Sequence, residues 1–339
     1  MRKLATIRVI DELHPIEGAD AIECAVVGGW KVVVKKGEYA VGDLAVYLEI
    51  DSWVPTELAP FLSKGKDPRE FEGIKGERLR TVKLRGQLSQ GLFLPFDVLR
   101  GAVVILAESA DVSEFLGIVK WEKPMNAQLA GMAKGNFPSL IPKTDQERMQ
   151  NLKKEIAGAV ESGLQFEITE KLEGSSMTAY LIDGVFGVCS RNVDLKETEG
   201  NTFWQIAREY DIEDKMRIAG LNNFAIQGEL IRPGIQGNIY KLSKPMFMVF
   251  DMYNIVTGSF LTPHDRRALT KVLDVPHAPV LMVDKDLGMG SIDEILSWAE
   301  GKSVMGDIVG PEREGIVFKE VNGGMSFKAI SNKYLLGEK

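Results

Sequence analysis

The chain has 339 residues, 45% of them hydrophobic and 26% charged, with 41 Lys+Arg against 48 Asp+Glu for a formal net charge of −7. This composition excludes a chain that is disordered or fibrous throughout, and the length exceeds what one hydrophobic core usually serves, so two domains are expected. Two distant cysteines, Cys24 and Cys189, exclude a disulfide framework and point to a reducing, intracellular compartment, cytoplasm or nucleus. The start, MRKLATIRVIDELHP, lacks the apolar run of a signal peptide, and no apolar stretch reaches the roughly 18 residues of a membrane span.

Residues 1–100 read as β-rich. RKLATIRVIDEL alternates polar and apolar residues. ECAVVGGWKVVVKKGEYAVGDLAVYLEID carries β-branched and aromatic runs broken by Gly28-Gly29, Gly37 and Gly42, and ERLRTVKLRGQLSQGLFLPF continues in that style. Short strands between glycine turns suit a small barrel or sandwich, and about five strands in roughly 100 residues is the size of an OB-fold, which commonly binds nucleic acid. Most of the negative charge lies further on, whereas residues 64–85 are rich in lysine and arginine, with Arg78 and Arg80 on one parity and Lys83 and Arg85 on the other. Residues 101–118 read as a short helix or loop closing this domain.

Residues 121–143, WEKPMNAQLAGMAKGNFPSLIPK, hold Pro124, Pro138 and Pro142 and few periodic apolar residues, and they read as a linker. TDQERMQNLKKEIAGAVESG follows with helical spacing and Thr144 or Asp145 as N-cap. LQFEITEKLEGSSMTAYLIDGVFGVCSRN reads as strand, loop and a hairpin turning at Asp183-Gly184. Residues 201–218 read as helical, NNFAIQGELIRPG as a strand ending at Pro233-Gly234, and KPMFMVFDMYNIV as another strand. Helices are expected at 264–273 and 291–300, and EGIVFKE and MSFKAIS read as closing strands. Strands and helices do not alternate regularly, which argues against a doubly wound sheet.

Common phosphate-binding and catalytic signatures are missing. Gly301-Lys302-Ser303 comes nearest to a P-loop, but position 296 is Leu, and Gly288 and Gly290 are followed by Asp293 rather than the glycine of a dinucleotide fingerprint. His14, His264 and His277 are too few for a His-based triad or metalloprotease. The informative stretch is Lys171-Leu172-Glu173-Gly174-Ser175-Ser176, where a lysine leaves a strand into a Gly/Ser turn. A lysine becomes a covalent nucleophile when its amine is kept neutral, which nearby cations favour.

KLEGSS is followed, in order, by CSRN at 189–192, QGELIRPG at 227–234, FMVFDMY at 247–253, EGIVFK at 314–319 and SFKAIS at 326–331. This series resembles the ordered motifs of the covalent nucleotidyltransferases, the superfamily of RNA ligases, DNA ligases and mRNA capping enzymes. Within it the chain is most similar to ATP-dependent RNA ligases with an N-terminal OB domain, through PKTDQERMQN, NTFW at 201–204, GELIRPGIQGN and the β-rich front. The resemblance implies an α+β protein: an OB-fold nucleic-acid-binding domain at 1–120, a linker at 121–143 and a nucleotidyltransferase domain on antiparallel sheets at 144–339.

It also implies an activity. Lys171 takes AMP from ATP, the AMP passes to the 5′-phosphate of one RNA end, and the 3′-hydroxyl of the other end displaces it. Carried over residue by residue, Phe250 is the aromatic that stacks on adenine, and Glu170 and Leu172 flank the nucleotide. Glu229 and Glu314 contact ribose or a metal-bound water, and Arg191 meets phosphate. Arg148 clamps the leaving pyrophosphate, and Lys328 neutralises the α-phosphate. A carboxylate cannot bond a phosphate directly, so Glu173, Glu229 and Glu314 are expected to act through water on Mg²⁺ or Mn²⁺. Arg78, Arg80, Lys83 and Arg85 are expected to grip RNA, a nicked duplex or RNA ends, by phosphate contacts. Two departures stand out: the usual KxDG is KLEG here, and the second lysine of the last motif is Ile330, so that either Lys333 compensates or one phosphate contact is missing. A DNA or mixed-strand ligase and a catalytically silent RNA-binding protein are the alternatives. A monomer that does not associate with membranes is expected.

Overall fold

The structure is a computed structural model describing residues 2–102, 107–124, 127–233, 239–288, 291–305 and 310–337; the expectations for 103–106 and for 234–238 of GELIRPGIQGN lie outside it. The chain divides into two compact units, Met1–Pro124 with Gln150–Lys153, and Met125–Met149 with Lys154–Lys339.

The first unit is built from short antiparallel strands. Ala5–Val9, Leu44–Leu48 and Leu92–Leu94 form one sheet, and Glu12–Pro15, Ile22–Val27 and Trp30–Lys35 form a meander. A third sheet has the order Val119–Lys120, Ser52–Pro55, Ile74–Arg78, Arg69–Phe71. Alternation puts Ala5, Ile7, Val46, Leu48 and Val54 in one core, while Tyr47 and Phe93 meet edge to face on another side. The described part of 101–118 is a loop rather than a helix. Its Ser113 hydroxyl accepts from the amides of Leu4 and Ala5, closing the module on its first strand. Val82–Leu84 and Gln87–Ser89 make a hairpin whose turn, Arg85-Gly86, has positive φ at both residues.

The second unit carries a seven-stranded antiparallel sheet in the order Ala133–Asn136, Val193–Leu195, Val185–Cys189, Ser175–Ile182, Phe224–Ile231, Met246–Asn254, Ser259–Phe260. A four-stranded antiparallel sheet runs Val280–Asp286, Gln165–Lys171, Gly315–Glu320, Ser326–Ile330. The hairpin at Asp183-Gly184 forms as expected, again with positive φ at both positions. Helix Thr202–Glu209, capped by Asn201, and helix Ile212–Ile218 cover one face of the large sheet, burying Phe203, Trp204, Ile206, Phe247, Val249 and Met252. The helical reading of 201–218 resolves into two helices that meet at Asp211, which takes a left-handed conformation.

Two further expectations are corrected. The segment 121–143 is not all linker: it contains helix Ala127–Gly131 and strand Ala133–Asn136, the edge of the seven-stranded sheet. Its four residues and its Gly135 carry too little alternation to signal a strand. The helix expected from Thr144 or Asp145 begins only at Lys153. Residues 146–148 instead lie against the edge of the small sheet, where the Lys328 amide donates to the Glu147 carbonyl (2.8 Å) and Arg148 bridges Lys328 in parallel, while the Thr144 hydroxyl bonds with Ser176 of the large sheet. An edge strand offers unpaired backbone groups, and that offer overrides a modest helical preference.

Candidate active site

Strand register decides which side chains meet. On Gln165–Lys171, alternate residues Glu167, Thr169 and Lys171 share one face. Cross-strand pairing sets Lys319 beside Glu167, and Val317 with Lys328 beside Thr169. On the large sheet, Ser176, Glu229 and Met248 form one cross-strand row and Leu230 with Phe247 the next, on the opposite face. Phe247 is fully buried in the core, whereas Phe250 packs with Leu172, Ile231, Tyr240 and Met248.

Three carboxylates surround the lysine. The Lys171 ammonium lies 2.6 Å from Glu314 Oε1. Glu229 is pushed up to about 8, first by burial and then by Glu314, against the pull of Lys171 and Arg191. Glu173 is raised by burial and by Glu314, opposed by a hydrogen bond from Tyr334 and by Lys171. Glu229 thus keeps its proton up to about pH 8, while the Lys171 ammonium pairs with Glu314 and Arg191 adds a second positive charge. Gly174 makes the arrangement possible. Its amide donates to Glu229, and a Cβ there would stand 2.6 Å from the Leu230 carbonyl and 2.9 Å from Glu229 Cγ.

The other candidates have surroundings of their own. Glu170 is buried and accepts from the Ser303 hydroxyl and the Val304 amide (2.9 Å), so its carboxylate anchors that loop. The Arg191 guanidinium donates to Asp145 at 2.6 Å. Arg148 is buried beside Lys328 through the extended 146–148 segment. Ile330, in register with Gly315 and hence Lys171, is buried, while Lys333 is half exposed and lies 4.0 Å from Glu300. In the first unit Arg80, Lys83 and Arg85 are exposed. Arg78 departs from expectation: it pairs with Asp51 at 2.6 Å and lies 3.8 Å over the Trp121 ring, so it serves its own domain. Sequence reading missed Tyr240, whose hydroxyl accepts from the Glu173 amide (2.7 Å), and Tyr334 on Glu173. Lone tyrosines outside any spaced pattern gave no signal.

Among the described residues no group of three His, Cys, Asp or Glu is close enough to hold a metal by itself. The site nevertheless suits a cation held partly through water. Glu173 Oε2 is buried without a hydrogen-bond partner, and Glu314 raises both Glu173 and Glu229.

A family model described as RNA ligase matches residues 164–331, and one described as an OB-fold domain matches residues 4–96. The RNA ligase of Naegleria gruberi, solved with pyrophosphate, is 46% identical with a TM-score of 0.90, covering 99% of this chain and 98% of that one. Its mutant with ATP and Mn gives 46% and 0.90 again, at 98% of both chains. The chain belongs to the RNA ligase family. Its front unit is an OB-fold and the whole is an α+β RNA ligase fold. No curated protein matches the sequence. In this RNA ligase the matched stretch 164–331 contains Lys171 and all three carboxylates, whereas Arg148 and Tyr334 lie outside it.

Proposed function

We propose that this chain is an ATP-dependent RNA ligase that joins a 3′-hydroxyl to a 5′-phosphate through lysyl-AMP on Lys171 and an RNA-adenylate. The observation that carries the reading is the Lys171 ammonium held at 2.6 Å by Glu314, with Glu229 and Glu173 beside it and the Phe250–Leu172 cluster adjoining. Glu314 is placed to take the ammonium proton. The free amine attacks the α-phosphorus of ATP, a P–N bond forms and the bond to pyrophosphate breaks. The 5′-phosphate of RNA then displaces the lysine, and the 3′-hydroxyl displaces AMP. Positioning and charge neutralisation do most of this work.

Phe250 and Leu172 supply an apolar wall for the base. Arg148 and Lys328, neighbours through the 146–148 strap, supply positive charge for the phosphates. Glu173, Glu229 and Glu314 would hold Mg²⁺ or Mn²⁺, which supplies neutralisation of phosphate charge when bound. In the OB-fold, Lys83 and Arg85 lie on an exposed hairpin that also shows Val82 and Leu84, Arg80 precedes it, and the three would meet RNA phosphates.

The test is incubation with α-labelled ATP followed by a denaturing gel, then addition of a nicked duplex. Label retained on the protein and chased into sealed RNA is expected, and Lys171→Ala should take up none. A protein that seals only DNA nicks would move the substrate to DNA. Absence of any adduct would leave a silent RNA-binding protein.

A further inference from the structure

Strand Met246–Asn254 keeps simple register with Phe224–Ile231 except at one point: Gln227 faces Asp251 and Gly228 faces Val249, so Phe250 has no cross-strand partner. It is a β-bulge. Such an extra residue bends its strand, interrupts the ladder and re-aims a side chain. Here parity puts Phe247 and Val249 in the core and turns Met248 and Phe250 to the lysine side, with Asp251 also outside the core cluster.

What fixes the bulge comes from the other sheet. Lys319, paired in register with Glu167, is 8% exposed. Its ammonium donates to the Phe250 carbonyl at 2.7 Å and pairs with the Asp251 carboxylate, so one cation ties both residues of the bulge. The same ammonium lies 5.8 Å from the Phe250 ring centroid. Asp251 also lies 3.8 Å from Arg266, which pairs with buried Glu167 and donates to His277 Nε2 at 3.0 Å. His277 Nδ1 in turn meets the Ala278 carbonyl, whose own amide donates to the Val249 carbonyl at 2.8 Å. The polar contacts thus run from the residue after the bulge around to the residue before it.

We propose that Lys319 is a positioning residue for the nucleobase: by holding the Phe250 carbonyl and the Asp251 carboxylate together it specifies the bulge, and the bulge sets the Phe250 ring. A neutral donor could satisfy the carbonyl, but the buried carboxylate requires a cation, and lysine can serve both at once with three donors on one nitrogen. The role differs from that of Lys328, because the Lys319 ammonium is engaged by the aromatic strand. It rests on the reading that Phe250 stacks on the base of ATP.

The experiment measures lysyl-AMP formation against ATP concentration for Lys319→Met, Phe250→Ala and the double variant. Lys319→Met is expected to raise the ATP concentration for half-maximal rate about tenfold, the scale of one base-stacking contact, with the saturated rate within about threefold of the parent. In the Phe250→Ala background the same change should add less than about twofold, since both act through one ring. A saturated rate that collapses while half-saturation stays put would assign Lys319 to the phosphates and overturn the proposal. Equal effects in both backgrounds would overturn it too. If Lys319→Met is insoluble, Lys319→Arg keeps the charge but moves the donors. A half-saturation equal to the parent's in that variant would also overturn it. Failure of the stacking reading is separate: Phe250→Ala would then leave half-saturation unchanged.

Discussion

At the level of single residues, two phenylalanines three positions apart do different work. Phe247 is fully buried, so Phe247→Ala is expected to cost about 3–5 kcal/mol in a denaturant titration. Phe250→Ala should leave the midpoint nearly unchanged and weaken ATP use instead, as measured on folded protein. Glu229 gives a pH signature. Its carboxyl is pushed from an ordinary 4.5 to about 8, so over that range the folded state holds the proton and the unfolded state has lost it. Stability from this group is present at pH 4.5 and is lost as the pH rises through about 8. Glu229→Gln, facing Lys171, Glu314 and Arg191, should therefore gain in melting temperature over the parent more at pH 8.5 than at pH 5. A gain that is flat with pH would refute the assignment. The sequence motifs marked these positions, yet they could not reveal the tyrosines on Glu173, which arrive from segments with no pattern of their own.

At the level of strands, Gly315 shows how tightly the small sheet is assembled. A Cβ at this position would lie 2.2 Å from the Ala329 carbonyl, in the pairing that sets Glu314 against the strand of Lys328. Gly315→Ala should thus cut lysyl-AMP formation and lower the melting temperature together, whereas alanine at exposed Gly158, where nothing lies within 4 Å, should do neither. The long strands were legible because alternation and β-branched runs extend over seven to nine residues. The 146–148 strap was not. Its sequence suits a helix, and only the open edge of Ser326–Ile330, a long-range partner, makes it extended.

For the molecule as a whole, the sequence changes texture over residues 121–143, and the first stretch of the first unit ends at Pro124. It did not reveal that Gln150–Lys153 belongs with the first unit. There Trp30 Nε1 donates to Asn151 (2.8 Å) and Asn151 donates to Glu49 (3.0 Å). A nucleotidyltransferase fragment should begin at about Met125 rather than at residue 144, because the later start removes edge strand Ala133–Asn136. That fragment should still form lysyl-AMP but seal poorly. Equal sealing by fragment and full chain would dismiss the OB-fold as the RNA grip. In the full protein, neutralising Arg80, Lys83 and Arg85 should flatten the dependence of log affinity on log salt by roughly 0.7–0.9 for each phosphate no longer gripped.

The return of Gln150–Lys153 to the first unit also bears on birth and on shuffling. A ribosome releases the chain from its N-terminus, so the front module waits, its Trp30 indole lacking Asn151, until part of the next module has been translated. For the same reason the two halves are not cassettes. A gene fusion that transplants residues 1–124 alone delivers a module missing its last piece, and a recipient must bring its own substitute for Asn151.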